Sequence, residues 1–151
     1  MGILKASSTV EVDAPASRCY EIISDLENSP KWQASMVSCE VLKADSEGRA
    51  ELVEIESDAK VRTLTSRIAF AYQPETGMTW EQKKGDMKWM TGSWTLEDLG
   101  DGRTRAIYAL EADTGRMLGL LLKGPVGDKV KGWLTNDATS GLKKFAEEGT
   151  V

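Results

Sequence analysis

Hydrophobic and polar positions change period twice along the chain. From Leu4 to Val12, the residues Leu4, Ala6, Ser8, Val10 and Val12 alternate with more polar neighbours, which predicts a half-buried strand. The next stretch, "DAPASRCYEIISDL", repeats at three- and four-residue steps through Ala16, Cys19, Tyr20, Ile23 and Leu26. It reads as a short helix with Pro15 in its first turn. Pro30 disfavours helical geometry at Ser29, and a second short turn carries Trp32. After Met36 the period returns to two. Turn signals at 46–48, 57–60, 74–77, 84–86 and 100–102 divide this part into six strands. Their connections are too short for parallel crossovers, so the strands form an antiparallel meander.

The parity of the meander is clearest from Arg62 to Tyr72, where Leu64, Ile68, Phe70 and Tyr72 share a face with Arg62 and Ser66. The same alternation groups Met78 with Trp80, then Met90 with Gly92, Trp94 and Leu96, then Ala106 with Tyr108, Leu110 and Ala112. One face of the sheet is therefore rich in aromatic rings. The chain ends in helical period, with Val126, Val130, Trp133, Leu134, Ala138, Leu142 and Phe145 on one side of a segment from about Pro125 to Glu147. That is about 33 Å of helix, enough to cross a sheet. Its middle, "GWLTNDATSG", is poor in helix formers, so packing must stabilise it.

Composition narrows the chemistry. The 151 residues carry 40% apolar and 28% charged side chains, a globular balance that fits one domain over residues 1–151. A net charge of −5 without a Lys/Arg cluster argues against a nucleic-acid partner. The start, "MGILKASSTV", lacks the apolar core of a signal peptide. Cys19 and Cys39 show no CxxC spacing, and two thiols without a disulfide framework fit the cytoplasm. Histidine is absent, which excludes Ser-His-Asp and Cys-His catalysis and leaves no sensible metal site. The most apolar run, "GRMLGLLLKGPVGDKV", is broken by Lys123 and Pro125, too early to span a membrane. No transmembrane segment is expected.

Three stretches carry a family resemblance: "VDAPASRCYEIISDLENSPKW", "GSWTLEDLGDGRTRAIYALE" and the terminal helix. In that order and spacing they resemble the START-like, helix-grip superfamily, within it the polyketide cyclase/dehydrase and coenzyme Q-binding branch. The resemblance implies an α+β helix-grip fold. In it a seven-stranded antiparallel sheet wraps a long C-terminal helix, with two short helices after the first strand and a cavity between sheet and helix. The run from Gly115 to Val130 would begin at the exit of the last strand and become a flexible apolar rim, or be a core segment without a gating role.

A cavity of that kind would be lined by Phe70, Tyr72, Trp80, Met90, Trp94, Tyr108 and Leu110 of the sheet, with Ile68 and Ser66 of the same parity. Val130, Leu134 and Ala138 would line it from the helix. Burying about 400 Å² of apolar ligand there is worth on the order of 10 kcal/mol before association costs. Each large side chain could equally fill a solid interior. Asp137 lies about 20° from Val126 on a helical wheel, inside the apolar stripe. It either reaches water at the stripe's edge or projects inward to pair with Arg62, Tyr108 or a ligand. Arg62 is either a solvated strand-end charge or part of the site. The expected function is binding or transport of a hydrophobic small molecule, a lipid, isoprenoid quinone or polyketide, without a cofactor. The alternatives are a cyclase, aromatase or dehydratase working without histidine, and an interaction module that presents Trp32 or the rim. Ligand identity and oligomeric state stay open.

Overall fold

The computed structural model describes residues 3–60, 62–121 and 123–148. Strand β1 (Ile3–Val12) leads into helix α1 (Ala16–Ser24) and a 3₁₀ helix (Leu26–Lys31). The meander follows as β2 (Met36–Ala44), β3 (Ala50–Asp58), β4 (Thr63–Gln73), β5 (Gly77–Gly85), β6 (Trp89–Gly100) and β7 (Arg103–Asp113). Helix α2 (Gly115–Leu121) and helix α3 (Gly124–Glu148) complete the chain. All pairings are antiparallel, and the strand order is β1-β7-β6-β5-β4-β3-β2. This is the α+β helix-grip arrangement, a seven-stranded sheet holding a long terminal helix.

The strand order explains how one face of the sheet is covered. Because β1 and β2 are opposite edges, residues 13–35 must cross the full width of the sheet. At about 4.8 Å per strand spacing, that is close to 30 Å. The crossing chain is α1, the 3₁₀ helix and the loop after it. Pro15 stands just outside α1 as its extended N-cap rather than inside its first turn, and its carbonyl accepts the amides of Arg18 and Cys19. Thr104 of β7 donates to the Ala14 carbonyl at 2.8 Å, fixing where the crossing starts. Register shifts in β2 and at Arg67/Ile68 of β4 break the ladder at bulges, which add bend and twist to the sheet. The β6–β7 hairpin turns through Asp101 and Gly102, both at positive φ, the geometry for which an Asp-Gly pair is suited.

Inward positions on β7, and on β4 from Leu64 to Ile68, are buried while their neighbours are partly or fully exposed; Phe70 and Tyr72, further along β4, are half-buried. Helix α3 packs on β1, β7 and α1, and has no comparable packing against β2 to β5. Its 25 residues are held by fit rather than by propensity. At Gly141 an added Cβ would overlap the Trp32 carbonyl oxygen, so the poor helix former is there for close approach.

The segment after β7 differs from the sequence reading. Gly115–Leu121 is helix rather than the end of a strand. Gly115 and Gly124, both at positive φ, stand at the starts of α2 and α3. The side chains of Met117, Leu118 and Leu121, and residue 122 altogether, lie outside what the structure describes. Among the described residues no helix is long and apolar enough to cross a membrane.

Candidate ligand-binding cavity

Where α3 leaves the sheet uncovered, a cavity of about 90 Å³ lies beneath the 3₁₀ helix and its following loop. Its floor is the inner parity of β3 to β7, and Leu134 is the α3 residue on its wall. Five aromatic rings line it in sequence through space. Phe70 and Trp80 are 5.5 Å apart between ring centres, Trp80 and Tyr108 5.5 Å, Trp94 and Tyr108 4.9 Å, and Trp32 and Trp94 6.2 Å. All four pairs are tilted or edge-on, the geometries that aromatic quadrupoles favour. Directly across from Trp80 in the ladder stands Gly92, and an added Cβ there would collide with the indole. Gly92 thus makes the space in which Trp80 lies over the sheet.

The structure gathers nine of the sequence-predicted residues on this cavity: Ser66, Ile68, Phe70, Trp80, Met90, Trp94, Tyr108, Leu110 and Leu134. Five others do not line it. Arg62 is half exposed and sits 3.9 Å from Asp86, a strand-end charge. Tyr72 points to the far end of β4, where its hydroxyl donates to the Ala50 carbonyl at 2.6 Å under the Arg49 guanidinium. Val130 and Ala138 are buried but absent from the lining.

Asp137 has a different task. Its carboxylate accepts the Ser35 amide at 2.8 Å. One turn earlier on α3, the Trp133 indole donates to the Asp58 carbonyl at 2.9 Å, and the Asp58 amide donates to the Ser35 carbonyl at 2.7 Å. These three bonds form a clasp that ties α3, the end of β3 and the loop over the cavity. Lys60 lies 3.8 Å from the centre of the Trp133 ring and completes it. An acid inside an apolar stripe is thereby accounted for by a backbone amide 102 residues away.

Periodicity did not point to the loop residues on the wall: Ser29, Trp32, Gln33 and Ser35 reach the cavity only because the crossing chain passes over it. Trp32, which the interaction-module alternative needs at the surface, is buried. Met78 and Leu64 were available from parity, and Met36 and Met87 come from the strand start and the hairpin at the rim. With Met90, four methionines line the cavity. Among the described residues no Asp, Glu, Lys or Arg does.

Tyr108 is the titratable group with most consequence here. Burial pushes its phenol up to about 12; the Gln33 side chain it faces opposes the rise, and the Asp137 charge adds to it. At neutral pH it is a proton donor, not a base. Cys39 is pushed up to about 11 by burial, so its thiol stays protonated and weakly reactive. Both cysteines are free, and among the described residues no three of His, Cys, Asp and Glu could hold a metal.

Solved structures share this fold. A START superfamily protein from Mycobacterium smegmatis superposes with a TM-score of 0.83 at 22% identity, covering 97% of this chain and 99% of the other. A protein from Thermus thermophilus gives 0.83 at 18%, covering 98% and 100%. The Zhui aromatase/cyclase of Streptomyces sp. R1128 gives 0.75 at 16%, covering 99% of each chain. No curated protein sequence matches the chain. The sequence does match, over residues 4–149, the family described as polyketide cyclase / dehydrase and lipid transport, and with nearly its whole length matched the chain belongs to that family.

Proposed function

We propose that this protein binds a small hydrophobic molecule between its sheet and the crossing 3₁₀ segment. The observation that carries the reading is an interior cavity walled by aromatic rings and methionines with, among the described residues, no charged side chain on it. An apolar guest there replaces contacts that the lining lacks on its empty side. At about 90 Å³ the space is smaller than the roughly 300–1,000 Å³ of pockets for drug-sized ligands. Burial of about 400 Å² of ligand, as for a quinone or polyketide chain, therefore requires expansion. The methionines supply a route, since unbranched thioether side chains change rotamer at low cost. The free thiols suit the reducing cytoplasm as the place of action. Native mass spectrometry of gently purified protein tests the reading. A co-purifying apolar molecule that is lost when Leu134 or Met90 is replaced by a charged residue is expected; an empty protein that no apolar probe stabilises would defeat it.

The second reading, a cyclase or dehydratase, is favoured by the family description and by the aromatase/cyclase that shares the fold. On this chain it would use Tyr108 as a fixed donor to a ketone oxygen and the cavity wall to position the chain. Conversion of a reactive poly-β-ketone mimic, lost in Tyr108→Phe, is its expected signature.

A further inference from the structure

The cavity is apolar along one side and polar along another. Ser29 and Ser35 are each 2% exposed, Gln33 is 7% exposed, and all three line it from the 3₁₀ segment and its loop. Among the described residues the hydroxyls of Ser29 and Ser35 make no hydrogen bond. Neither hydroxyl is fully enclosed, and both residues line the cavity. Gln33 faces the Tyr108 phenol, and a primary amide with two donors and two acceptor positions is not exhausted by one partner. Buried polar groups of this kind call for a partner. Phe70 and Met78, elsewhere on the lining, offer no comparable group.

Charge is excluded on every side. A carboxylate entering the cavity meets no cation among the described lining residues, and the Asp137 carboxylate, which holds the Ser35 amide, acts on Tyr108 with a negative field. An unpaired buried anion is strongly disfavoured, and a like charge nearby worsens it. A pure hydrocarbon suffers in the other direction, because it seals Gln33, Ser29 and Ser35 against a surface that offers them no hydrogen bond.

We propose, building on the cavity reading above, that this site selects an uncharged guest bearing a hydroxyl or carbonyl group, seated against Gln33 and Tyr108 with its apolar body toward Phe70 and Trp80, and rejects the carboxylate of the same skeleton. Gln33 and Tyr108 are the specificity-determining residues.

Two matched probe pairs separate the terms at neutral pH on the full chain, followed by amide and indole NMR titration. Benzamide and benzoate have the same shape and differ in charge; phenol and toluene differ in the hydroxyl. Benzamide should shift the Gln33 and Ser35 amides and the Trp80 and Trp94 indoles, with benzoate weaker by about tenfold or more. Phenol should bind several-fold tighter than toluene, and that preference should vanish in Tyr108→Phe and in Gln33→Leu, two variants chosen so that a folding failure in one leaves the other. Benzoate equal to benzamide, or toluene equal to phenol, overturns the selectivity while leaving an apolar-binding cavity intact. If none of the four probes shifts the cavity signals, the binding reading itself falls and the selectivity with it.

Discussion

The same inner face of the sheet is solid at one end and hollow at the other. Over β1 and the adjoining parts of β6 and β7, helices α1 and α3 lie directly on the strands. There Val12, Cys19, Ala106, Ala138 and Leu142 are wholly buried. Small residues on α3 bring it close: Thr139 and Asn136 meet Ser8 of β1 at 2.7 and 3.0 Å, and Gly141 fits under Trp32. Over β3 to β6 the cover is a 3₁₀ turn and a loop, and the large rings below are held apart by Gly92 and by each other. A helix with small contact residues closes on a sheet. A loop tied at Ser35 by two hydrogen bonds, over indole rings, leaves space beneath it.

The contrast predicts that the solid end loses most from truncation. Leu142→Ala removes a side chain with contacts on all sides and should cost about 4 kcal/mol by urea unfolding. Gly141→Ala tests the close approach: helix propensity alone would stabilise it, yet overlap with the Trp32 carbonyl should make it about 3 kcal/mol less stable. Leu134→Ala, at the cavity wall, should cost only about 2 kcal/mol, since part of its surface already faces empty space. Equal losses at Leu134 and Leu142 would mean that the hollow end is as tightly packed as the solid one. Gly92→Ala should cost about 1–2 kcal/mol and drive the Trp80 ring into the cavity, so binding of an apolar probe falls further than stability does.

The smallest effect is alkaline. Burial raises Tyr108 and Tyr72 from 10.0 to about 12 and Cys39 from 9.0 to about 11. The folded chain holds these protons more tightly than the unfolded one. Their contribution is therefore complete below about pH 9 and is lost as pH rises from 9 toward 12. Denaturant midpoints should fall over that window, and Tyr108→Phe should flatten the part above pH 10.

Much of this was legible in the residues. Alternation at Leu64–Tyr72 and Ala106–Ala112 placed the inner face correctly, and the terminal helix differs by one residue at each end from the segment its period predicts. The misreadings cluster where partners are distant in sequence. Asp137 reads as an anomaly on a helical wheel and becomes ordinary once Ser35 is beside it. Tyr72 has inward parity, but it lies at the strand end, beyond the cavity. The Gly115–Leu121 run shows apolar character without a clear period, and its helix could not be separated from a strand exit on that pattern.

The sequence by itself determined the two periods, the hairpins that punctuate them and therefore which side chains face inward, because each of these depends on neighbours a few residues apart. The tertiary structure alone decided that residues 13–35 cross from one sheet edge to the other and that Gln33 and Ser35 meet Tyr108 and Asp137. It also decided that about 90 Å³ stays open. Void volume is a small difference between the space that crossing elements enclose and the volumes that fill it, and no local pattern in a chain encodes that difference.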